Sequence, residues 1–157
     1  FEDVLKTALL VHEALDALNL PNYPKTTGSR GIHIYVPIER GPLQKEVWTF
    51  AKRFAQSMER LYPDLVTAEY KVAKRPEGHV LVDYNQNAWG RTLSSVYSVR
   101  PKPQAPVSTP VTWEEVSGGL RIEDFRIDNV RERVSQRGDL WSPVASPRGR
   151  VDLKALL

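Results

Sequence analysis

Two short stretches of the chain gather residue types that can handle phosphate and metal ions. The first runs Lys25-Thr26-Thr27-Gly28-Ser29-Arg30-Gly31-Ile32-His33-Ile34-Tyr35-Val36-Pro37-Ile38. Gly28 and Gly31 permit backbone conformations that other residues resist, and they let the chain approach a ligand closely. Peptide N–H groups in such a loop suit a phosphate or a triphosphate tail, aided by the Thr27 and Ser29 hydroxyls and the cations Lys25 and Arg30. The same composition also serves an ordinary hairpin turn. The second stretch is His79-Val80-Leu81-Val82-Asp83-Tyr84-Asn85-Gln86-Asn87. Its apolar run reads as a buried strand with Asp83 at the end, where a rigid element can present a side chain. A carboxylate there suits Mg²⁺ or Mn²⁺, which prefer hard oxygen ligands. Asp83 is equally suited to capping the following turn through its side chain.

The flanking elements follow from periodicity. Val4, Leu5, Ala8, Leu9, Leu15 and Leu18 recur at helical spacing, so Phe1–Leu20 reads as a helix ended by Asn19, Pro21 and Pro24. His12 lies near that stripe, as a structural histidine or as a ligand. The stretch from Lys25 to Ile38 reads as strand, turn and strand, with Ile32, Ile34, Val36 and Ile38 on one face and His33 and Tyr35 on the other. A second helix is expected over Leu43–Leu61, with an unbroken stripe of Val47, Phe50, Ala51, Phe54, Met58 and Leu61, and Pro63 stops it. Thr67 is expected to cap a short helix running towards Arg75. Thr92–Arg100 reads as either extended or helical. Pro101–Pro110, with four prolines, reads as an ordered connection. Thr112 is expected to cap a brief helix at Trp113–Val116, and Asp128 one over Asn129–Arg137 that ends at Gly138. The last segment offers Leu153, Leu156 and Leu157 for docking. Two long helices alternating with a strand pair and a later strand indicate an α/β (α+β) fold, with a mixed or antiparallel sheet flanked by helices.

The 157 residues suffice for a single domain over 1–157 with a real core. The longest apolar runs are far too short to span a bilayer, and no secretory signal pattern is present. With no cysteine, disulfides and thiolate metal sites are excluded, which fits a cytoplasmic protein. The net charge is only +3, but the cations cluster: Lys71, Lys74 and Arg75; Arg91, Arg100 and Lys102; then Arg131, Arg133, Arg137, Arg148 and Arg150. A polyanionic partner and an ordinary solvated surface both accommodate these groups. The three histidines show no metal-ligand spacing, and no adenylation-type lysine motif occurs.

Taken together, Lys25–Tyr35 resembles the nucleotide-binding motif of the primase-polymerase domain of bacterial DNA ligase D, in the archaeo-eukaryotic primase superfamily. Val80–Asn87 resembles that family's third metal motif. Tyr97-Ser98-Val99-Arg100 and Arg137-Gly138-Asp139-Leu140-Trp141 look like family landmarks in the right order. The resemblance covers nearly the whole chain, to Trp141. It implies a primase-like catalytic core that adds ribo- or deoxyribonucleotides to DNA ends in non-homologous end joining, with Mn²⁺ or Mg²⁺ and an NTP or dNTP substrate. Carried over, Thr27, Gly28 and Ser29 would meet the nucleotide phosphates, and Arg30 would supply a cation. His33 would lie beside the triphosphate, and Gln86 and Arg100 would hold the triphosphate or the templating strand. Asp83 would ligate metal and accept the proton of the primer 3′-hydroxyl, while Arg75, with Lys74 beside it, would steer the primer end. DNA ends, the end-binding protein Ku and attached ligase and phosphoesterase domains are the implied partners.

The family also carries an Asp-x-Asp pair on a strand before the helix that opens this sequence, and no Asp-x-Asp occurs here. With Phe1 as the first residue, the chain is expected to be the C-terminal portion of such a domain, or a naturally shortened relative, and to be inactive alone. A homodimer through apolar surface exposed by the missing part is expected as well. The alternative to an incomplete nucleotidyltransferase is a non-catalytic nucleotide or nucleic-acid binding module of the same fold.

Overall fold

The structure, a computed structural model, describes residues 1–157. They divide into two compact units, one formed by residues 1–37 and 94–151 and the other by 38–93 and 152–157.

The first unit opens with helix α1, Glu2–Ala17, which buries Leu5, Ala8, Val11 and Leu15. It closes three residues before the expected end, because Asn19 takes a left-handed φ of 55° and the Leu20 N–H returns to the Leu15 carbonyl. His12 stacks on Trp113 at 4.1 Å and contacts the Asn22 side chain at 2.9 Å, which is the structural role. Strands β1, Tyr23–Thr26, and β2, Ile32–Tyr35, pair antiparallel with Lys25 opposite His33 and Thr26 opposite Ile32. Ile32 and Ile34 pack on a core of Leu5, Ala8, Val111, Val116, Leu120 and Phe125. Pleating therefore places His33 and Tyr35 on the other face, as the alternation predicts, and Lys25, opposite His33, shares that face. Strand β2 ends at Tyr35, so Val36 and Ile38 do not extend it.

The proline-rich connection divides in two: residues 101–104 are exposed, whereas residues 106–110 are all buried. Thr26 donates its N–H to the Thr109 carbonyl at 2.8 Å, and Thr109 donates its own to Thr26 Oγ1 at 3.0 Å. Pro106 and Pro110 have no N–H to donate, so the segment joins its neighbours through single bridges rather than a full ladder. Residues 94–100 resolve to irregular chain, with Val99 bridged to Val107. Helix α3, Trp113–Ser117, is capped by Thr112 as expected, and Glu115 completes the cap by accepting the Thr112 N–H. Helix α4, Val130–Arg137, starts from Asn129 rather than Asp128. Both Asp128 carboxylate oxygens are held by Arg126, at 3.0 and 3.1 Å, which removes that side chain from capping. Gly138 ends α4 with φ of 75°, and the short helix α5, Ser142–Ala145, follows.

The second unit is built on helix α2, Gln44–Leu61. Its apolar stripe is less enclosed than expected: Ala55 and Met58 are fully buried, Phe50 and Phe54 are half-buried, and Leu61 is 66% exposed. Strand β3, Val66–Thr67, pairs parallel with β4, Val80–Leu81. Thr67 is thus a strand residue and caps no helix. Its hydroxyl donates to Glu59 at 2.9 Å, and only a 3₁₀ turn forms beyond it, at Val72–Lys74. Residues 80–82 are half-buried rather than enclosed. Of the C-terminal leucines, Leu153 is the buried one. No helix is long and apolar enough to cross a membrane.

Candidate nucleotide-binding site

The loop between β1 and β2 is held by its own side chains. Thr27 Oγ1 accepts the N–H groups of Ser29 at 3.1 Å and Gly31 at 3.2 Å, and the Thr27 N–H donates to the Gly31 carbonyl at 2.9 Å. Thr27 is therefore the brace of the loop, with its own hydroxyl proton left to offer a ligand. Gly28 is buried with φ of 66°, and a Cβ placed on it would stand 2.6 Å from Arg100 Cγ. Only glycine admits the Arg100 stem this closely. Lys102, which motif reasoning passes over, donates from Nζ to Ser29 Oγ at 2.6 Å. It lies two residues past Arg100 in the same irregular stretch, and that spacing is the signal that could have marked it. Arg30 is exposed on the loop. His33 sits on β2, its ring centre 6.3 Å from that of Tyr35 in an edge-on arrangement.

Behind the loop lies Lys25, 0% exposed. Its Nζ donates to Ser108 Oγ at 2.5 Å and to the Ser94 carbonyl at 3.0 Å, and it stands 5.8 Å from the centre of the Tyr35 ring. Burial, reinforced by the Arg100 charge, lowers its ammonium from 10.5 to about 8. Lys25 is thus a fastening between β1 and the 94–108 segment rather than a surface cation. Thr27, Gly28, Ser29, Arg100 and Lys102 come together; Arg30 and His33 border them along the chain.

Asp83, Gln86, Arg75 and Lys74 belong to the second unit. Asp83 Oδ1 accepts the Asn85 N–H at 3.0 Å, the turn-capping role, while Gln86 donates to Oδ2 at 2.9 Å. The turn that follows is fixed to α2, because Trp48 donates its indole N–H to Asn85 at 2.9 Å and Gln44 donates to the Asn87 carbonyl. Arg75 braces the backbone, its guanidinium facing the Glu69 and Tyr70 carbonyls at 3.4 Å, while Lys74 is exposed. No group of three or more His, Asp or Glu side chains is placed to hold a metal ion. Asp83 alone, with both oxygens already accepting hydrogen bonds, does not fit a divalent cation, which requires several hard oxygen donors.

A second charged constellation lies in the first unit. Arg133 Nη1 and Nη2 donate to the two Glu115 oxygens at 2.7 and 2.6 Å, its guanidinium covers the Phe125 ring at 4.9 Å, and it reaches the Pro110 carbonyl at 3.2 Å. With 16% and 19% of their side chains exposed, Arg133 and Glu115 form an internal pair and not part of a solvated face.

The family profile described as LigD, primase-polymerase domain, matches residues 1–141. The chain belongs to this family. The multifunctional non-homologous end joining protein LigD of Mycolicibacterium smegmatis is 34% identical over 148 residues, which are 91% of this chain and 19% of that protein. The LigD of Pseudomonas aeruginosa is 32% identical over 150 residues, covering 94% of this chain and 18% of that protein. The bifunctional LigD of Bacillus subtilis is 31% identical over 125 residues, 79% of this chain and 20% of that protein. A structure of the polymerase domain from Mycobacterium tuberculosis ligase D in complex with DNA superposes with a TM-score of 0.83 at 32% identity. It covers 90% of this chain and 49% of that one, so the LigD fold expected from the motifs is present. The chain thus spans about a fifth of the curated LigD proteins it matches and about half of that polymerase domain.

Proposed function

We propose that the chain is the nucleotide-cradling part of a LigD primase-polymerase that extends DNA 3′ ends during non-homologous end joining. The observation that carries this reading is the delivery of Arg100 and Lys102 to the 27–31 loop, at Gly28 and Ser29. Two cations over a braced glycine loop suit a triphosphate tail, whose charge they neutralise through charge-assisted hydrogen bonds. Lys102 would exchange Ser29 for a phosphate oxygen, the Thr27 hydroxyl would donate its free proton, and Arg30 and His33 would border the tail. Gln86 would orient Asp83, and Lys74 would meet the DNA backbone. Arg75 would act through the backbone it braces.

Asp83 by itself cannot assemble the metal-dependent chemistry, so Mn²⁺ or Mg²⁺ would require carboxylates beyond those this chain brings together. That donor set favours the second reading, a nucleotide-binding module without turnover, for the chain acting alone. Ku, ligase and phosphoesterase domains, and a second copy of this chain, are the partners that family likeness adds. Incubation with primer-template, nucleotides and Mn²⁺ tests the reading: nucleotide is bound and no primer is extended. Clear extension by this polypeptide would overturn the metal argument, and absence of nucleotide binding would overturn the cradle.

A further inference from the structure

Trp89 is 89% exposed at the tip of a turn closed by the Arg91 N–H on the Ala88 carbonyl at 3.3 Å. Gly90 turns the chain there with φ of 74°, and apart from its chain neighbours nothing lies within 4 Å of where a Cβ would stand. Arg91 folds back over the Tyr70 ring, 6.0 Å from its centre, and Tyr70 is itself exposed. Beyond Tyr70 the chain continues with exposed Lys71 and Lys74. Arg75 fixes this strip by its contacts with the Glu69 and Tyr70 carbonyls. Over residues 69–78 and 91, four cations stand against two carboxylates, and one of these, Glu69, is turned to the Lys71 N–H at 2.8 Å. An exposed indole, a second aromatic ring stacked by arginine and a net positive strip are the components with which proteins hold unpaired bases and their phosphates.

We infer that Trp89, Arg91 and Tyr70 form a stacking platform for unpaired nucleotides of a DNA end, with Lys71 and Lys74 on the phosphates. The inference deepens the proposed function and rests on DNA being the partner. A protein partner would use the apolar area of Trp89 without salt-dependent binding of single strands. Binding of a fluorescent oligothymidylate to this chain, of a duplex with a 3′ single-stranded overhang, and of a blunt duplex tests it. Trp89→Ala is expected to weaken the oligothymidylate and the overhang about tenfold, with the blunt duplex unchanged, and Trp89→Phe to restore most of the loss. Wild-type indole fluorescence is expected to be quenched by the oligothymidylate, and that of Trp89→Phe to be quenched much less. Equal affinity of wild type and Trp89→Ala for unpaired DNA overturns the platform, as does a loss shared equally by the blunt duplex. Retained binding of ATP in those same samples leaves the cradle standing, whereas loss of both ATP and DNA binding rejects the wider reading.

Discussion

Lys25 Nζ stands 2.5 Å from Ser108 Oγ, inside the protein, and forms no ion pair with a carboxylate. A buried ammonium served only by neutral oxygens is costly, and its lowered pKa of about 8 reflects that cost. What the arrangement supplies is geometry: one side chain joins β1 to both ends of the 94–108 segment, from which Arg100 and Lys102 extend to the glycine loop.

The sign of the Lys25 effect is fixed by linkage. Its ammonium titrates near 8 in the folded chain and at the ordinary 10.5 when unfolded, so between these values the unfolded state holds more protons. Stability from this group therefore rises as pH climbs from about 8 towards 10.5. Below pH 8 the full penalty is present. In urea unfolding, the difference between wild type and Lys25→Met is expected to move in favour of wild type by roughly 1–3 kcal/mol between pH 7 and pH 10.

Gly28 and Gly31 separate two roles of glycine. Gly28→Ala places a Cβ against Arg100 at 2.6 Å in a left-handed conformation, and is expected to destabilise by roughly 1–3 kcal/mol and to weaken nucleotide binding. Gly31→Ala meets only Thr27 at an ordinary 3.5 Å, and is expected to stay within about 1 kcal/mol of wild type. Thermal unfolding of the two variants side by side checks both.

The strand pair of this site was legible in the motifs, because Ile32 and Ile34 alternate towards the core with His33 and Tyr35 away from it. What stayed hidden depends on contacts distant in sequence. Proline at 106 and 110 disguises a fully buried segment as a connection, and nothing local marks Lys25 as interior. The Asp128 cap failed because Arg126, two residues away, offers two charged hydrogen bonds where a helix N-terminus offers a weaker dipolar one. The arginines of α4 illustrate the same limit. Arg133 is internal only because Glu115 of α3 faces it, a pairing no periodicity encodes.

Glu115 supplies a prediction at acid pH. Burial raises its carboxyl, but hydrogen bonds from Arg133 and the Thr112 N–H, with the Arg133 and Arg137 charges, outweigh this and hold it below the ordinary 4.5. Its contribution is present above pH 4.5 and is lost as pH falls through the lowered value. Glu115→Gln is expected to cost roughly 1–3 kcal/mol at pH 7, less than a fully buried pair because some of each side chain meets solvent. The gap to wild type is expected to close towards pH 3 in acid unfolding followed by circular dichroism.

The central claim is that the 27–31 loop with Arg100 and Lys102 forms a cradle for a nucleotide triphosphate. Calorimetric titration of ATP and of adenosine into the wild-type chain, Lys102→Ala and Arg100→Ala tests it most directly. Tighter binding of ATP than of adenosine is expected, falling about tenfold or more in each variant while adenosine is unaffected. Equal binding of ATP and adenosine, or unchanged ATP affinity in both variants, would contradict it.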